Sequence, residues 1–365
     1  MDVNNENVPE LSALRQSIDD LDRRIVELLN ERARVVIQVG KAKQVDGTPI
    51  YAPDREQAVL KRIAELNHGP LPQNTLQAIY RELMSGSFVL ERPLRIGYLG
   101  PQGSYSHLAS QRKFGASVEY RPLADIRAVF DEVSRGHCDL GLAPIENSFE
   151  GGVIDTMDCF INSSVHVCAE VMVKIHHNLL GSCAPEQIRV IASKPEVFAQ
   201  CRNWLSSSFN EVQLLPVASS SKAAEMAASE QGLAAIGSTL AAELYGLKII
   251  FANIEDSPNN ITRFFVISAT PAKRTGADKT ALIFTTAHRA GALLRDGRPA
   301  DLAVAATKSS PIDVVTEMDI AAEKLITTLI AERRPDDGFL GEEGAATEGT
   351  SGVRWVIDPL DGTVN

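Results

Sequence analysis

Three hydroxyl side chains, Ser104, Tyr105 and Ser106, stand directly after the turn Gly100-Pro101-Gln102-Gly103. Leu94 to Leu99 reads as a strand before that turn, and Ser104 to Phe114 as a helix after it. A strand, a glycine turn and a helix start together offer free backbone N–H groups and the positive end of a helix dipole to an anion. The stretch carries neither G-x-G-x-x-G nor G-K-[ST], so it is not a dinucleotide or P-loop fingerprint. Alone, it reads first as an ordinary βα turn. Further polar clusters fall at predicted strand ends or helix starts: Glu146-Asn147-Ser148, His176-His177-Asn178, Ser219-Ser220-Ser221, and Asn259-Asn260 leading to Thr262-Arg263-Phe264. His176 and His177 do not read as a metal pair, because adjacent strand residues point to opposite faces. Near the C-terminus, Gly341-Glu342-Glu343 and an apolar strand ending in Asp358-Pro359-Leu360-Asp361-Gly362-Thr363 would suit carboxylates converging on a hard cation such as Mg2+.

A second group of charged residues lies upstream. Arg32 and Lys43 are eleven residues apart, about three helical turns, and so share a face. Arg15, seventeen residues before Arg32, falls near the opposite side and could join the same site only from a partner subunit. The element that carries all three is legible in its apolar positions, 11, 14, 18, 21, 25, 28, 35, 39 and 42, which predict one long helix. Such a helix cannot bury its seam alone in so small a domain, and dimerisation with a second copy is the natural solution. Breaks at Gly47-Thr48-Pro49 and Gly69-Pro70-Leu71-Pro72 set off a second helix to about Leu66 and a third from about Asn74 to Leu90. From Pro93 onward strands and helices alternate, which predicts mostly parallel sheets in two lobes around a cleft, with a ligand at the strand C-terminal ends.

Composition narrows the class. The 365 residues have ordinary apolar and charged fractions and room for two or three domains. The net charge of −11 is concentrated in residues 295–365, which hold 7 Lys and Arg against 14 Asp and Glu. No basic face favours nucleic acid, and no apolar run reaches bilayer length. The five cysteines form no C-x-x-C pair, so a disulfide framework or zinc site is not expected and a cytoplasmic location is.

The runs L-x-A-L-R-x-x-I-D-x-L-D (Leu11 to Asp22), E-R-A-x-x-x-x-x-V-G-K-A-K (Glu31 to Lys43) and D-R-E (Asp54 to Glu56) resemble the all-helical chorismate mutases. The resemblance covers residues 1–92 and implies a domain-swapped homodimer converting chorismate to prephenate. Arg15 (from the partner), Arg32, Lys43, Arg55, Glu56, Ser87 and Glu91 fall on the family's site positions. The arginines would clamp carboxylates, Lys43 would donate to the ether oxygen, and Glu56 would take the substrate hydroxyl. Two positions depart from the pattern: Glu91 replaces a glutamine, and Ala52 stands where some members carry aspartate. A carboxyl donates to the ether oxygen only when protonated, so mutase activity is expected to fall as pH rises through the titration of Glu91.

Further along, G-P-x-G-S-Y-S (Gly100 to Ser106), P-I-E-N-S (Pro144 to Ser148), I-H-H-x-L-L (Ile175 to Leu180) and T-R-F (Thr262 to Phe264) resemble prephenate dehydratase. The resemblance spans 93–272 and implies a two-lobed, periplasmic-binding-protein-like α/β domain that turns prephenate into phenylpyruvate. Thr262 would hydrogen-bond the departing hydroxyl; Ser104, Ser106, Glu146, Asn147, Ser148, His177, Arg263 and Phe264 fall on substrate-binding positions. Lys194 and Glu196 depart from a common S-H-x-Q pattern. Neither reaction is expected to need a cofactor. A binding-only module for prephenate is the rival reading.

Lys279 to Leu294 resembles the first strand and helix of an ACT regulatory domain, cut short, within a 273–294 segment. Residues from about 296 to 365 resemble the N-terminal part of the inositol monophosphatases. Glu342, Asp358, Asp361, Thr363 and the Leu360 carbonyl match their metal ligands, with Lys308 and Asp319 at accessory positions. The chain ends inside that motif, so the expected reading is an incomplete, weakly Mg2+-binding α+β fragment joined near 294/295, by fusion or within a spliced reading frame. A magnesium-dependent phosphatase is the second alternative function.

Overall fold

The protein was analysed as a computed structural model, which describes residues 10–46, 48–274, 304–307, 314–341, 346–351 and 354–357. Three helices open it. α1 (Leu11–Asp46) runs unbroken because its first glycine is Gly40 and it contains no proline. Its seam residues Leu14, Ile18, Leu21, Ile25 and Leu28 are all exposed in the single chain, and Gly40 is its one buried residue. α2 (Pro53–Leu66) starts on a proline and places Asp54 and Glu56 in its first turn, where the dipole favours carboxylates. α3 (Gln73–Glu91) returns along α1. Where the two meet, a Cβ on Gly40 would lie 2.9 Å from Glu91 Cα, so the glycine sets how closely α1 and α3 approach.

The α/β body follows in two lobes. The first contains β1 (Arg95–Leu99), α4 (Tyr105–Phe114), β2 (Glu119–Leu123), α5 (Ile126–Ser134), β3 (Leu140–Asn147), β4 (Gly151–Gly152), α6 (Ile154–Ile161) and β5 (His166–Lys174). The second contains β6 (Asn178–Gly181), β7 (Val190–Ser193), α7 (Pro195–Gln200), α8 (Arg202–Ser208), β8 (Gln213–Pro216), α9 (Ser220–Ser229), β9 (Leu233–Gly237), α10 (Thr239–Tyr245) and β10 (Lys248–Phe251). β11 (Ile261–Ser268) then returns to the first sheet, giving the orders β2-β1-β3-β11-β5 and β10-β6-β9-β7-β8.

The expectation of mostly parallel sheets needs correction. β1 is parallel to β2 and β3, and β7 to β8 and β9, but β11 runs antiparallel to β3 and β5, and β6 antiparallel to β9 and β10. The cause is topological. β5 leads out of the first lobe and β11 leads back, so these neighbours must oppose each other; β6 and β10 do the same in the second lobe. The chain therefore crosses between lobes twice, at 175–177 and 252–260.

The loop between α1 and α2 does not stay with the helices. Tyr51 is 7% exposed inside the first lobe's core, with Leu94, Ile96, Tyr98, Phe114 and Phe264. Its ring meets Phe114 edge-on at 5.3 Å and Phe88 of α3 at 6.2 Å. Such pairs add about 0.5–1.5 kcal/mol beyond burial, so the helical segment is packed onto the α/β body.

Downstream, β12 (Val304–Thr307) pairs with β13 (Val314–Thr316), and α11 (Glu317–Ala331) precedes a sheet of β14 (Gly338–Gly341), β15 (Ala346–Thr347) and β16 (Arg354–Ile357). Ile330, Phe339 and Ile357 form a small core there. The segment compared with an ACT strand and helix, 279–294, lies outside the described residues. No described helix is long and apolar enough to cross a membrane.

Candidate active sites

The first constellation forms between α1, α2 and α3. Arg32 Nη1 donates to Ser87 Oγ at 2.7 Å, and Ser87 Oγ donates to Leu83 O at 2.6 Å. Lys43 Nζ donates to Glu91 Oε2 at 2.9 Å and to Ile50 O at 3.0 Å. An ammonium has three protons, so one remains for a ligand, and Glu91 keeps Oε1. Glu56 Oε2 accepts from Tyr51 OH at 2.9 Å and from Lys113 Nζ at 2.8 Å. Burial, reinforced by the Glu56 charge, pushes the Tyr51 phenol well above its ordinary pKa and keeps it a donor. Arg55 and Arg15 are exposed and make no hydrogen bond or ion pair among the described residues. At 1.5 Å per residue Arg15 sits about 25 Å up α1 from Arg32, which places it beyond this chain's own cluster.

The second constellation lies where the chain crosses between lobes. Asn147, at the end of β3, is in register with Thr262 on β11. Asn147 Oδ1 accepts from the backbone N–H groups of Phe149 and Glu150, at 2.9 and 3.2 Å, which fixes the orientation of its amide. Its Nδ2 then donates to Thr262 Oγ1 at 2.7 Å and to Asn260 Oδ1 at 3.0 Å. Asn260 Nδ2 donates to Gln200 Oε1 at 2.8 Å, and the same oxygen lies 2.6 Å from His177 Nε2. An amide oxygen can only accept, so His177 carries its proton on Nε2, and Nδ1 accepts from Tyr105 OH at 2.7 Å. Burial pushes the His177 pKa down, which agrees with this neutral tautomer.

Beside the chain of contacts lies a cavity of about 400 Å³ lined by Phe149, Glu150, Glu196, Gln200, Glu255 and Asn260. Glu255 holds His176 Nδ1 at 2.7 Å and the His177 N–H at 2.9 Å.

Several residues expected at a ligand are held in structural contacts. Ser104 caps α4, accepting from the His107 N–H and donating to Leu99 O at 3.0 Å. Ser106 is buried beneath the same helix, and Phe264 is 1% exposed in the core, because each falls on the inward face of its element. Ser148 straps the turn to the returning strand through Asn259 O and the Ile261 N–H. Arg263 pairs with Glu170 at 2.8 Å, approaches Glu146 at 3.5 Å and lies over the Phe265 ring. The turn before α4 bridges the lobes: Gly103 has φ +80°, and its carbonyl accepts from Ser238 Oγ at 2.8 Å.

Gln200 and Asn260 knit this site together without having been singled out as site residues. Asn260 lies in a recognised polar cluster, whereas Gln200 is the last residue of α7 and no local spacing marks it. The expected metal ligands Glu342, Asp358, Leu360, Asp361 and Thr363, and Lys308, lie outside the described residues. Among the described residues no group of three or more His, Cys, Asp or Glu could hold a metal ion.

Three family models match the chain: chorismate mutase type II over 14–92, prephenate dehydratase over 96–272 and the inositol monophosphatase family over 278–365. The last match is C-terminal in this chain, and it starts ahead of the expected join and within the segment compared with an ACT domain. The bifunctional chorismate mutase/prephenate dehydratase of Stutzerimonas stutzeri is 42% identical over 291 residues, covering 78% of this chain and 80% of the relative. That of Aquifex aeolicus is 39% identical over the same shares. Among solved structures, a prephenate dehydratase from Arthrobacter aurescens is 28% identical, covering 50% of this chain and 64% of its own, with a TM-score of 0.47.

Proposed function

This chain belongs to the bifunctional chorismate mutase/prephenate dehydratase family, and on that premise we propose how its two sites divide the work. The enzyme rearranges chorismate to prephenate and converts prephenate to phenylpyruvate. We assign the first step to a helical domain of residues 1–92 and the second to the α/β domain of residues 93–272.

The first step breaks an ether C–O bond and forms a C–C bond within one molecule, with no proton transfer. Catalysis comes from holding the reactive conformer and stabilising charge on the ether oxygen. Arg32 and Arg55, with Arg15 from a second copy, clamp the carboxylates. Lys43 donates to the ether oxygen with the proton it does not spend on Glu91 and Ile50, Glu91 joins it as a donor only when protonated, and Glu56 holds the hydroxyl. The exposed apolar seam of α1 supports a homodimer as the form that completes this site.

The second step breaks the bond to the ring carboxylate, which leaves as CO2, and expels the ring hydroxyl, with aromatisation as the driving force. The observation that carries the assignment is the bond from Asn147 to Thr262. With its oxygen already accepting, the threonine must send its own proton elsewhere, and it serves as the donor to the departing oxygen. Gln200, Asn260 and His177 hold Asn147 in place, and Arg263 braces the strand that carries Thr262. Neither step calls for a cofactor. Glu342, Asp358, Leu360, Asp361 and Thr363 would, on this reading, supply Mg2+ ligands in the inositol monophosphatase-like segment, and neither step is assigned to them.

Thr262→Val keeps the shape and removes the hydroxyl. The expected result is a fall in dehydratase kcat on the order of a hundredfold or more, the usual loss when a transition-state donor is removed. KM for prephenate and the mutase rate should stay near the parent's. A variant with parental dehydratase kcat would remove Thr262 from the reaction.

A further inference from the structure

Resting on the assignment of Glu56 to the chorismate hydroxyl, we infer that Lys113 of the dehydratase domain is a positioning residue of the mutase site. Glu56 stands in the first turn of α2, and one of its two oxygens is occupied from outside the helical domain. Lys113 is the second-to-last residue of α4, and its ammonium lies 2.8 Å from Glu56 Oε2. Tyr51 OH donates to the same oxygen at 2.9 Å, and the ammonium lies 5.9 Å from the centre of the Tyr51 ring. Two donors on Oε2 fix the plane of the carboxylate and leave Oε1 to a ligand.

The pair is not a surface decoration. The side chains of Lys113 and Glu56 are 22% and 15% exposed, which removes much of the screening that makes open ion pairs weak. Its frame is rigid as well. Glu82 Oε2 of α3 accepts the Ala116 N–H at 2.9 Å, and Ser85 Oγ accepts the Ser117 N–H at 3.0 Å, so the end of α4 is docked on the helical domain. Gly115, with φ +77°, permits that approach, since a Cβ there would fall 2.7 Å from Ser85 Cβ. The other end of α4 carries Tyr105, whose hydroxyl bonds His177 in the dehydratase site. One ten-residue helix thus contacts the polar groups of both sites.

The test uses the full chain. Lys113→Met removes the ammonium and keeps most of the stem; Lys113→Arg restores a cation. In Lys113→Met, mutase kcat/KM should fall on the order of tenfold, mainly through a raised KM for chorismate, because the lost group orders a substrate-binding carboxylate. Lys113→Arg should recover most of that loss. Dehydratase activity on supplied prephenate should stay at the parental value, and the thermal midpoint should fall only modestly, because Glu56 keeps the Tyr51 hydroxyl when the ammonium is lost. In a Glu56→Gln background, Lys113→Met should add almost nothing, because its effect runs through the carboxylate. An unchanged mutase kcat/KM in Lys113→Met would overturn the inference, as would an equal loss in both backgrounds or a matching loss of dehydratase activity and stability. If Glu56→Gln itself leaves the mutase unaffected, the assignment of Glu56 fails instead.

Discussion

A histidine that is 1% exposed and bonded through both ring nitrogens has little tolerance for a second ring proton. His177 already spends its Nε2 proton on Gln200, and a second proton on Nδ1 would turn the Tyr105 hydroxyl to His176 O and leave a cation in a buried site. Burial already places its pKa below the ordinary 6.5, and burial does the same to His107, whose Nδ1 accepts the Gly103 N–H. The consequence for stability follows from linkage. Below about pH 6.5 the unfolded chain takes up protons that the folded chain refuses, so stability is fully present above that pH and is lost as pH falls through the folded values. Thermal midpoints measured at pH 7, 6 and 5 should therefore fall toward acid, and His177→Gln should flatten part of the fall while His107 supplies the remainder. Parallel curves for parent and variant would show that His177 is not an acid-sensitive element.

At the scale of elements, the close approach of α1 and α3 places Lys43 against Glu91, and Gly40 makes that approach possible. Gly40→Ala puts a methyl group 2.9 Å from Glu91 Cα, where backbone rather than a pliable side chain must move. The expected result is a mutase rate lowered at least severalfold and stability reduced by about 1–3 kcal/mol, as for other overpacked contacts. Dehydratase activity should be kept; assays of both reactions on one preparation check it. The three helices themselves were legible, because a long 3.6-residue periodicity and strong breakers at Gly47-Thr48-Pro49 and Pro70-Leu71-Pro72 leave few alternatives. β2, β6 and β10 were not, being four or five residues each: β2 contains Pro122, and β6 is too short to alternate. The lead-in Asn259-Asn260 reads as turn chemistry and hid the fact that β11 already includes Thr262. Site residues in motifs could be named in advance, but Gln200 and Lys113 could not. Their roles arise from which elements dock together, and no local spacing encodes that.

At the scale of the molecule, the two proposed sites differ in what they would require of a second copy. The Thr262 constellation is assembled within one chain, whereas the helical site as proposed takes Arg15 from a second copy, because this chain's own α1 holds it about 25 Å from Arg32. The same helix exposes Leu14, Ile18, Leu21, Ile25 and Leu28 along one stripe. At about 25 cal/mol per Å2 of apolar surface, a stripe of that size on a 36-residue helix is a strong driving force for pairing. Leu21→Glu with Ile25→Glu sets like charges against each other across such a seam. This double variant should sediment as a smaller species and lose most mutase activity, while converting supplied prephenate at the parental rate. Serial dilution of the parent should reproduce the split, with mutase specific activity declining first. A monomeric double variant with parental mutase activity would mean that Arg15 is dispensable and that the helical site is complete in one chain.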